Sequence, residues 1–352
     1  MAEPRSRRRK TVDHPFPGLR PFLRRENLIF FDREGQTDSL IERLRQNHFL
    51  AVLGSSGSGK SSLVRAGLLP ALENGLMAGA RSHWKMAVIR PGERPIAYLA
   101  NALAELVSNP EDPGYQMIPA RMMLETMLIS SSFGLKEAAL GPILLPNENL
   151  LVVVDQFEEI FRFNEGSQDV ERLNEAKAFI RLLLEASSDP NLPVYVVITM
   201  RSDFLGECPR FRDLPEAINA GQYLVPRLTR AQMREAIAGP AAVFQEEIAP
   251  DLVIRLLNDI GDNPDQLPIL QHALMRTWNH HKPGEEVCVA DYEAIGGLQN
   301  ALNQHAEEIC QFGRPSPGFG RRLFFKRLTE TEPKERESGV RHGYQKFVRP
   351  PV

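Results

Sequence analysis

The sequence predicts an α/β protein, a parallel sheet sandwiched by helices and followed by an all-α domain. Three observations carry this expectation. Apolar runs at 49–53, 86–89, 150–154 and 194–200 alternate with stretches of helical spacing. Runs with no polar face suit strands buried on both sides, and strands joined through helices form parallel sheets. Beyond residue 225 no comparable strand run appears, and the helical spacing continues alone as far as Cys310.

The elements follow in order. Residues 49–53 run straight into glycine, as a buried strand entering a tight loop does. Residues 86–89 stop at Arg90-Pro91-Gly92, a turn signal. Residues 95–107 place Ile96, Leu99, Leu103 and Leu106 on one helical face. The pattern weakens between 109 and 149, where Met122, Met123 and Met127 are expected to fill core. Residues 150–154 end at Asp155, an amphipathic helix covers 176–186, and the strand at 194–200 ends at Arg201. Thr229 and Gln232 have the spacing of a capping box. Leu252, Val253, Leu256, Leu257 and Ile260 form one apolar face, and Pro268 suits the first turn of the helix carrying Ile269, Leu270, Ala273, Leu274 and Trp278.

Composition sets the bounds. A chain of 352 residues with 42% hydrophobic and 25% charged side chains is long and apolar enough for two packed units. The net charge of −3 gives no overall field for nucleic acid, and the basic block at 5–10 reads as part of a disordered tail over 1–14. Asp13-His14-Pro15 stands where an export signal would be apolar, and no run reaches the length of a membrane span. Cys208, Cys288 and Cys310 are odd in number and lack paired ligand spacing, which suits a reducing, cytoplasmic setting. His280-His281 reads as a helix end near solvent, because no further ligand-type residues cluster with it.

The chemistry begins at Gly54-Ser55-Ser56-Gly57-Ser58-Gly59-Lys60-Ser61, with Ser62 following. A strand precedes this stretch and a helix follows it, so it has both the spacing and the setting of a phosphate-binding loop. Several backbone N–H groups must converge on phosphate oxygens, which requires positive φ and no obstructing side chains. The helix beginning near Lys60 aims its positive end at the same point. Lys60 is placed to reach the β and γ phosphates, and the Ser61 hydroxyl to hold Mg²⁺.

A P-loop NTPase needs a second magnesium partner at the end of another buried strand, and Asp155 supplies it. Either Glu158 or Glu159 could polarise the attacking water; Glu158 is nearer the turn. Arg201, at a strand's carboxyl end, faces the ligand crevice of an open α/β sheet. There it could meet γ-phosphate charge, or it could pair with Asp203 or Asp213. The guanine-reading pattern N/T-K-x-D is absent, which favours adenine.

Several stretches together resemble the signal transduction ATPases with numerous domains, the STAND group, and within it the first novel STAND family. They are Pro15-Phe16-Pro17-Gly18-Leu19-Arg20-Pro21-Phe22, the run from Ser61 to Pro70, Asp155-Gln156-Phe157-Glu158-Glu159-Ile160-Phe161, Arg201-Ser202-Asp203-Phe204-Leu205, Leu267-Pro268-Ile269-Leu270-Gln271-His272-Ala273-Leu274 and Asp291-Tyr292-Glu293-Ala294-Ile295-Gly296-Gly297-Leu298. The resemblance implies a P-loop NTPase core at 15–225, a helical lid at 226–312, and a truncated winged-helix start with a loose tail at 313–352. It implies an ATP/ADP switch with slow hydrolysis and nucleotide-dependent assembly. It places the Arg201 strand between the phosphate-loop strand and the Asp155 strand, makes Pro268 the lid proline that meets the nucleotide, and counts Arg33 among the nucleotide-binding residues. The family reads Phe-Phe-Gly-Arg-Glu where this chain has Phe30-Phe31-Asp32-Arg33-Glu34, so Asp32 occupies a glycine position. No sensor or effector stretch follows residue 328. Protein partners carrying such modules, or further parts of a longer product, are therefore expected, along with a nucleotide-dependent homo-oligomer.

Overall fold

The structure, a computed structural model, describes residues 12–107, 117–162, 170–261 and 267–303 except 299 and 302. The stretch at 313–352, expected to begin a winged helix and end in a loose tail, lies outside the described residues, as do Cys310 and most of the basic tail.

A short 3-10 turn (Arg24–Ile29) leads into α1 (Glu34–Asn47) and β1 (Phe49–Gly54). After the loop come α2 (Lys60–Ser62), a π-helical stretch (Leu63–Leu68) and α3 (Leu69–Glu73), one continuous helical run. Then follow β2 (His83–Ile89), α4 (Pro95–Val107), α5 (Met117–Ser130), α6 (Gly134–Ala138), β3 (Glu148–Val154) and α7 (Glu159–Arg162). The core closes with α8 (Val170–Ser187), β4 (Val194–Arg201), α9 (Leu214–Ala220) and β5 (Gln222–Leu224). The helical part comprises α10 (Arg230–Val243), α11 (Pro250–Ile260), α12 (Leu267–His280) and α13 (Val289–Ala294).

All five strands run parallel in the order β2-β3-β4-β1-β5. The strand bearing Arg201 thus lies between the phosphate-loop strand and the Asp155 strand, as the resemblance implied. Alternation explains the burial of both faces. Phe49, Ala51, Leu53, Val152 and Ile198 face a core closed by α4, α5 and α8; Leu50, Val52, Val153 and Val197 face α1 and the helical run at 60–73. Parallel register brings the strand ends level, with Gly54 opposite Arg201 and Ile89 opposite Val154. This gathers the loops that follow β1, β3 and β4 into one crevice.

Two sequence expectations need correction. Met122 and Met123 are 63% and 46% exposed, and Leu124 and Leu128 fill the core instead. The buried pair is four residues apart on one face of α5, and Met122 lies two residues from it, which is about 200° of helical rotation. Met127 is half-buried against that core. The second correction concerns His281. His280 is exposed, but the His281 ring is buried beside Trp278, and its Nε2 meets the Glu246 carboxylate. A turn after α12 folds it inward.

The core of α10–α13, the helical part expected to be a lid, gathers Ile237, Leu252, Leu256, Leu270 and Leu274, and Phe16 joins them from the N-terminal segment. The Phe16 ring stands edge-on to Trp278 at 6.0 Å. Six residues later Phe22 donates its N–H to Ser62 Oγ at 3.2 Å and packs on Phe30. The segment at 16–22 is therefore a strap joining the lid to the helix of the phosphate loop. Arg20 fixes its course through two bonds to Glu26, at 2.6 and 2.7 Å.

Candidate functional site

At the carboxyl ends of β1, β3 and β4 the chain encloses a cavity of about 420 Å³, within the range of small-ligand sites. The loop after β1 forms its floor. Gly57 and Gly59 have φ of +71° and +88°, in the left-handed region where only glycine is unstrained. At Gly54 a Cβ would stand 2.7 Å from Ser58 Oγ. Gly57 and Gly59 are thus required by conformation. The helical run begins at Lys60, and the cavity wall includes Ser56, Gly57, Gly59, Lys60, Ser61 and Ser62. Gly54, Ser55 and Ser58 stand behind that wall.

Lys60 is buried, and its Nζ donates to Gly54 O at 3.0 Å and Ser55 O at 2.6 Å. Burial lowers its pKa from the ordinary lysine value, against the opposing pull of Glu158. An ammonium has three N–H donors, so the two loop carbonyls aim the group and do not exhaust it.

Asp155, one residue past β3, is 1% exposed and cross-links the site. Its Oδ1 accepts from Ser61 Oγ and from Thr199 Oγ1, each at 2.6 Å. Its Oδ2 accepts from Arg65 Nη2 at 3.1 Å. The Thr199 hydroxyl accepts from the Gln156 N–H at 3.0 Å, which directs its own proton to Asp155. The next two candidates separate. Glu158 is buried in the cavity wall, with Oε2 3.4 Å from the Arg201 N–H, and burial raises its pKa above the ordinary carboxylate value. Glu159 turns to the Arg90-Pro91-Gly92 turn, where Oε2 accepts from the Gly92 N–H at 3.2 Å. Arg201 reaches the cavity wall while its guanidinium pairs with Asp203 at 2.6 and 3.0 Å, and Asp213 is not that partner.

Leu19, Pro21, Phe22, Ile29, Phe30 and Phe31 give the cavity an apolar wall. Arg33 is buried beside it, with Nη1 on Gln36 and Pro226 O and Nη2 on Ser58 O at 3.3 Å. Burial brings its pKa down to about 10. Asp32 has φ of +63°, so this position does take the left-handed conformation that glycine tolerates best, and aspartate is among the side chains that bear it. Its carbonyl accepts from Gln232 Nε2 of α10 at 3.3 Å. Asp32→Val is expected to destabilise the fold by about 1–3 kcal/mol through backbone strain, whereas Asp32→Gly should change it by less than about 1 kcal/mol. Urea unfolding midpoints of the two variants check this.

The lid closes the remaining side. Leu267, Pro268 and Gln271 of α12 reach the wall, and the Phe31 ring packs on Gly239 of α10 so closely that a Cβ there would lie 2.7 Å from it. Core, strap and lid therefore share one cavity. The structure brings Arg33, Lys60, Ser61, Ser62, Glu158, Arg201 and Pro268 to its surface, with Asp155 reached through Ser61. Sequence reasoning missed Thr199, Arg65 and the wall formed by the strap. Arg65 lies four residues after Ser61, on the same helical face, which is a usable signal. Thr199 is a hydroxyl two residues before Arg201, the last residue of a buried strand.

The donor chemistry suits Mg²⁺. The Ser61 hydroxyl and the Asp155 carboxylate are hard oxygen groups in mutual contact beside the cavity. No group of three or more His, Cys, Asp or Glu side chains placed to hold a metal occurs among the described residues. Mg²⁺ in phosphate sites takes one or two protein oxygens and fills its shell with phosphate and water. No helix among the described residues is long and apolar enough to cross a membrane.

Comparison with known proteins agrees with this architecture. Residues 15–346 match the family Novel STAND NTPase 1. Among solved structures, the ADP form of the Aeropyrum pernix ORC2 protein superposes with a TM-score of 0.51 at 13% identity, over 84% of this chain and 78% of that one. The Aeropyrum pernix ORC1 protein, solved in complex with DNA, gives 0.50 at 14% identity, over 80% and 69%. Identities this low speak for the fold alone. No curated protein sequence matches the chain.

Proposed function

Because the chain belongs to the Novel STAND NTPase 1 family, we propose that it is an ATP-binding, slowly ATP-hydrolysing signalling switch whose lid responds to the bound nucleotide. The observation that carries this reading is the single cavity shared by the phosphate loop, the strap and Pro268 of the lid. Backbone N–H groups of the loop and Lys60 bind the phosphates. The apolar wall that includes Phe30 and Phe31 takes the adenine. Mg²⁺, when bound, neutralises charge on the β and γ phosphates; Ser61 and Asp155 would hold it.

The remaining groups divide the chemistry. Glu158 orients water and draws its proton, for which a carboxyl raised by burial is suited. Arg201 leaves Asp203 to meet γ-phosphate charge, an exchange of one oxyanion partner for another. Loss of that phosphate would send it back. Pro268 and the strap carry the difference to the lid. The switch acts in the cytoplasm on protein partners that bear sensor or effector modules, and it self-assembles with nucleotide.

The test is the nucleotide itself. The purified chain is expected to release ADP or ATP on denaturation, and to liberate phosphate from ATP only when Mg²⁺ is supplied. Calorimetry detecting neither ADP nor ATP binding with Mg²⁺ present would overturn the proposal. Transfer of phosphate to a small molecule instead of water would identify a kinase.

A further inference from the structure

We propose that Arg65 is the internal counter-cation of Asp155 and sets how readily the site takes a divalent metal. This rests on the nucleotide and Mg²⁺ reading above. Two features of the geometry support it. First, the orientation of Asp155 does not depend on Arg65. Two hydroxyls, from Ser61 and Thr199, already grip Oδ1 at 2.6 Å, and the Gln156 N–H fixes the second of these. Arg65 approaches the other oxygen, Oδ2, at 3.1 Å. Its contribution there is charge.

Second, the pair is almost enclosed, with side chains 15% and 2% exposed. Charges at this separation and burial interact far more strongly than at a surface. A divalent ion on the Ser61 oxygen would face a carboxylate whose charge the guanidinium already offsets, and would be repelled by that guanidinium. Without metal, the same guanidinium keeps a buried carboxylate from standing alone, a situation that is strongly destabilising. Arg65 therefore favours the metal-free site and weakens the metal-bound one. Its position on the π-helical stretch, four residues beyond Ser61, ties both effects to the helix that holds the phosphates.

The experiment uses the 352-residue chain saturated with ADP, with Mn²⁺ as the probe and the electron paramagnetic resonance signal of free Mn²⁺ as the readout. Arg65→Met keeps the apolar stem and removes the charge. Arg65→Gln keeps a donor toward Asp155 and removes the charge, and serves if the methionine variant folds poorly. Arg65→Lys keeps the charge. The expected result is a half-saturating Mn²⁺ concentration lowered about ten-fold or more in the Met and Gln variants, with Lys close to wild type. Without metal, the neutral variants should melt below wild type, and Mn²⁺ should narrow that gap. A merely structural role would lower the melting point and leave the Mn²⁺ titration unmoved.

Unchanged or raised half-saturation in a folded neutral variant overturns the inference, as does a Lys variant that behaves like Met. If wild type retains ADP and titrates with Mn²⁺, either failure belongs to Arg65 alone. A wild-type chain that binds no ADP removes the nucleotide reading and this inference with it.

Discussion

Lys60→Ala is expected to lower ATP hydrolysis by about 100-fold to 1,000-fold, the scale of losing one oriented charge from a transition state. The ammonium is buried, so solvent screens it little and its charge acts strongly on phosphate. It also satisfies the carbonyls of Gly54 and Ser55, which hold the loop in its curved form. Alanine removes both functions, and ADP affinity should fall together with turnover. Lys60→Met keeps the stem in place and separates charge from packing. Its turnover should fall as far as that of alanine, while its melting point stays closer to wild type. Phosphate release under saturating Mg-ATP is the measurement. Wild-type rates in either variant would mean that the loop binds something other than a reacting triphosphate.

Glu158→Gln should give the opposite pairing of effects, with turnover reduced about 100-fold or more and ATP retained. The amide is isosteric with the carboxylate and leaves the cavity shape intact, so the triphosphate should accumulate on the variant and be recovered by acid quench. A variant that hydrolyses normally would assign the water to another group. One that never hydrolyses in any form, wild type included, would make the chain a nucleotide-holding scaffold. Glu159→Gln is the internal control. Its carboxylate serves the Gly92 turn, and it should keep most of the activity.

The same substitution has a signature in stability. Burial raises the Glu158 pKa, so the folded protein holds that proton more tightly than the unfolded chain. Its contribution is then complete below the ordinary carboxylate pKa and declines as pH rises through the raised value. The glutamine variant lacks this slope. Urea midpoints should therefore move in the variant's favour relative to wild type as pH increases from about 4. A constant difference across that range would contradict a desolvated Glu158.

The order of legibility across the chain has a physical basis. The phosphate loop was readable because its requirement is local, a sharp turn of bare backbone between a strand and a helix that needs glycine at fixed offsets. The strands were readable because burial on both faces excludes polar residues over consecutive positions, as at 150–154. β5 is not legible at three residues, too short to show any period. The exposure of Met122 and Met123 is not legible because α5 is apolar nearly all round, and composition cannot say which face meets α4. His281 looked like a solvent-side helix end, and only the turn beyond α12 put it against Glu246.

By itself the sequence determined the α/β class, the phosphate loop with Lys60 and Ser61, and a short list of carboxylates and one arginine at strand ends. Each follows from chain-local geometry: what a turn permits, what a strand buries, what a helix start attracts. The tertiary structure alone decided that Glu158 faces the cavity and Glu159 does not, that Arg201 rests on Asp203, and that Arg65 and Thr199 share Asp155 with Ser61. It alone showed Phe16 buried in the lid while Phe22 holds the phosphate-loop helix. Apart from the local Arg201–Asp203 pair, those relations join segments distant in sequence and are set by the stacking order of the strands and the path of the strap. No short stretch of the chain carries them.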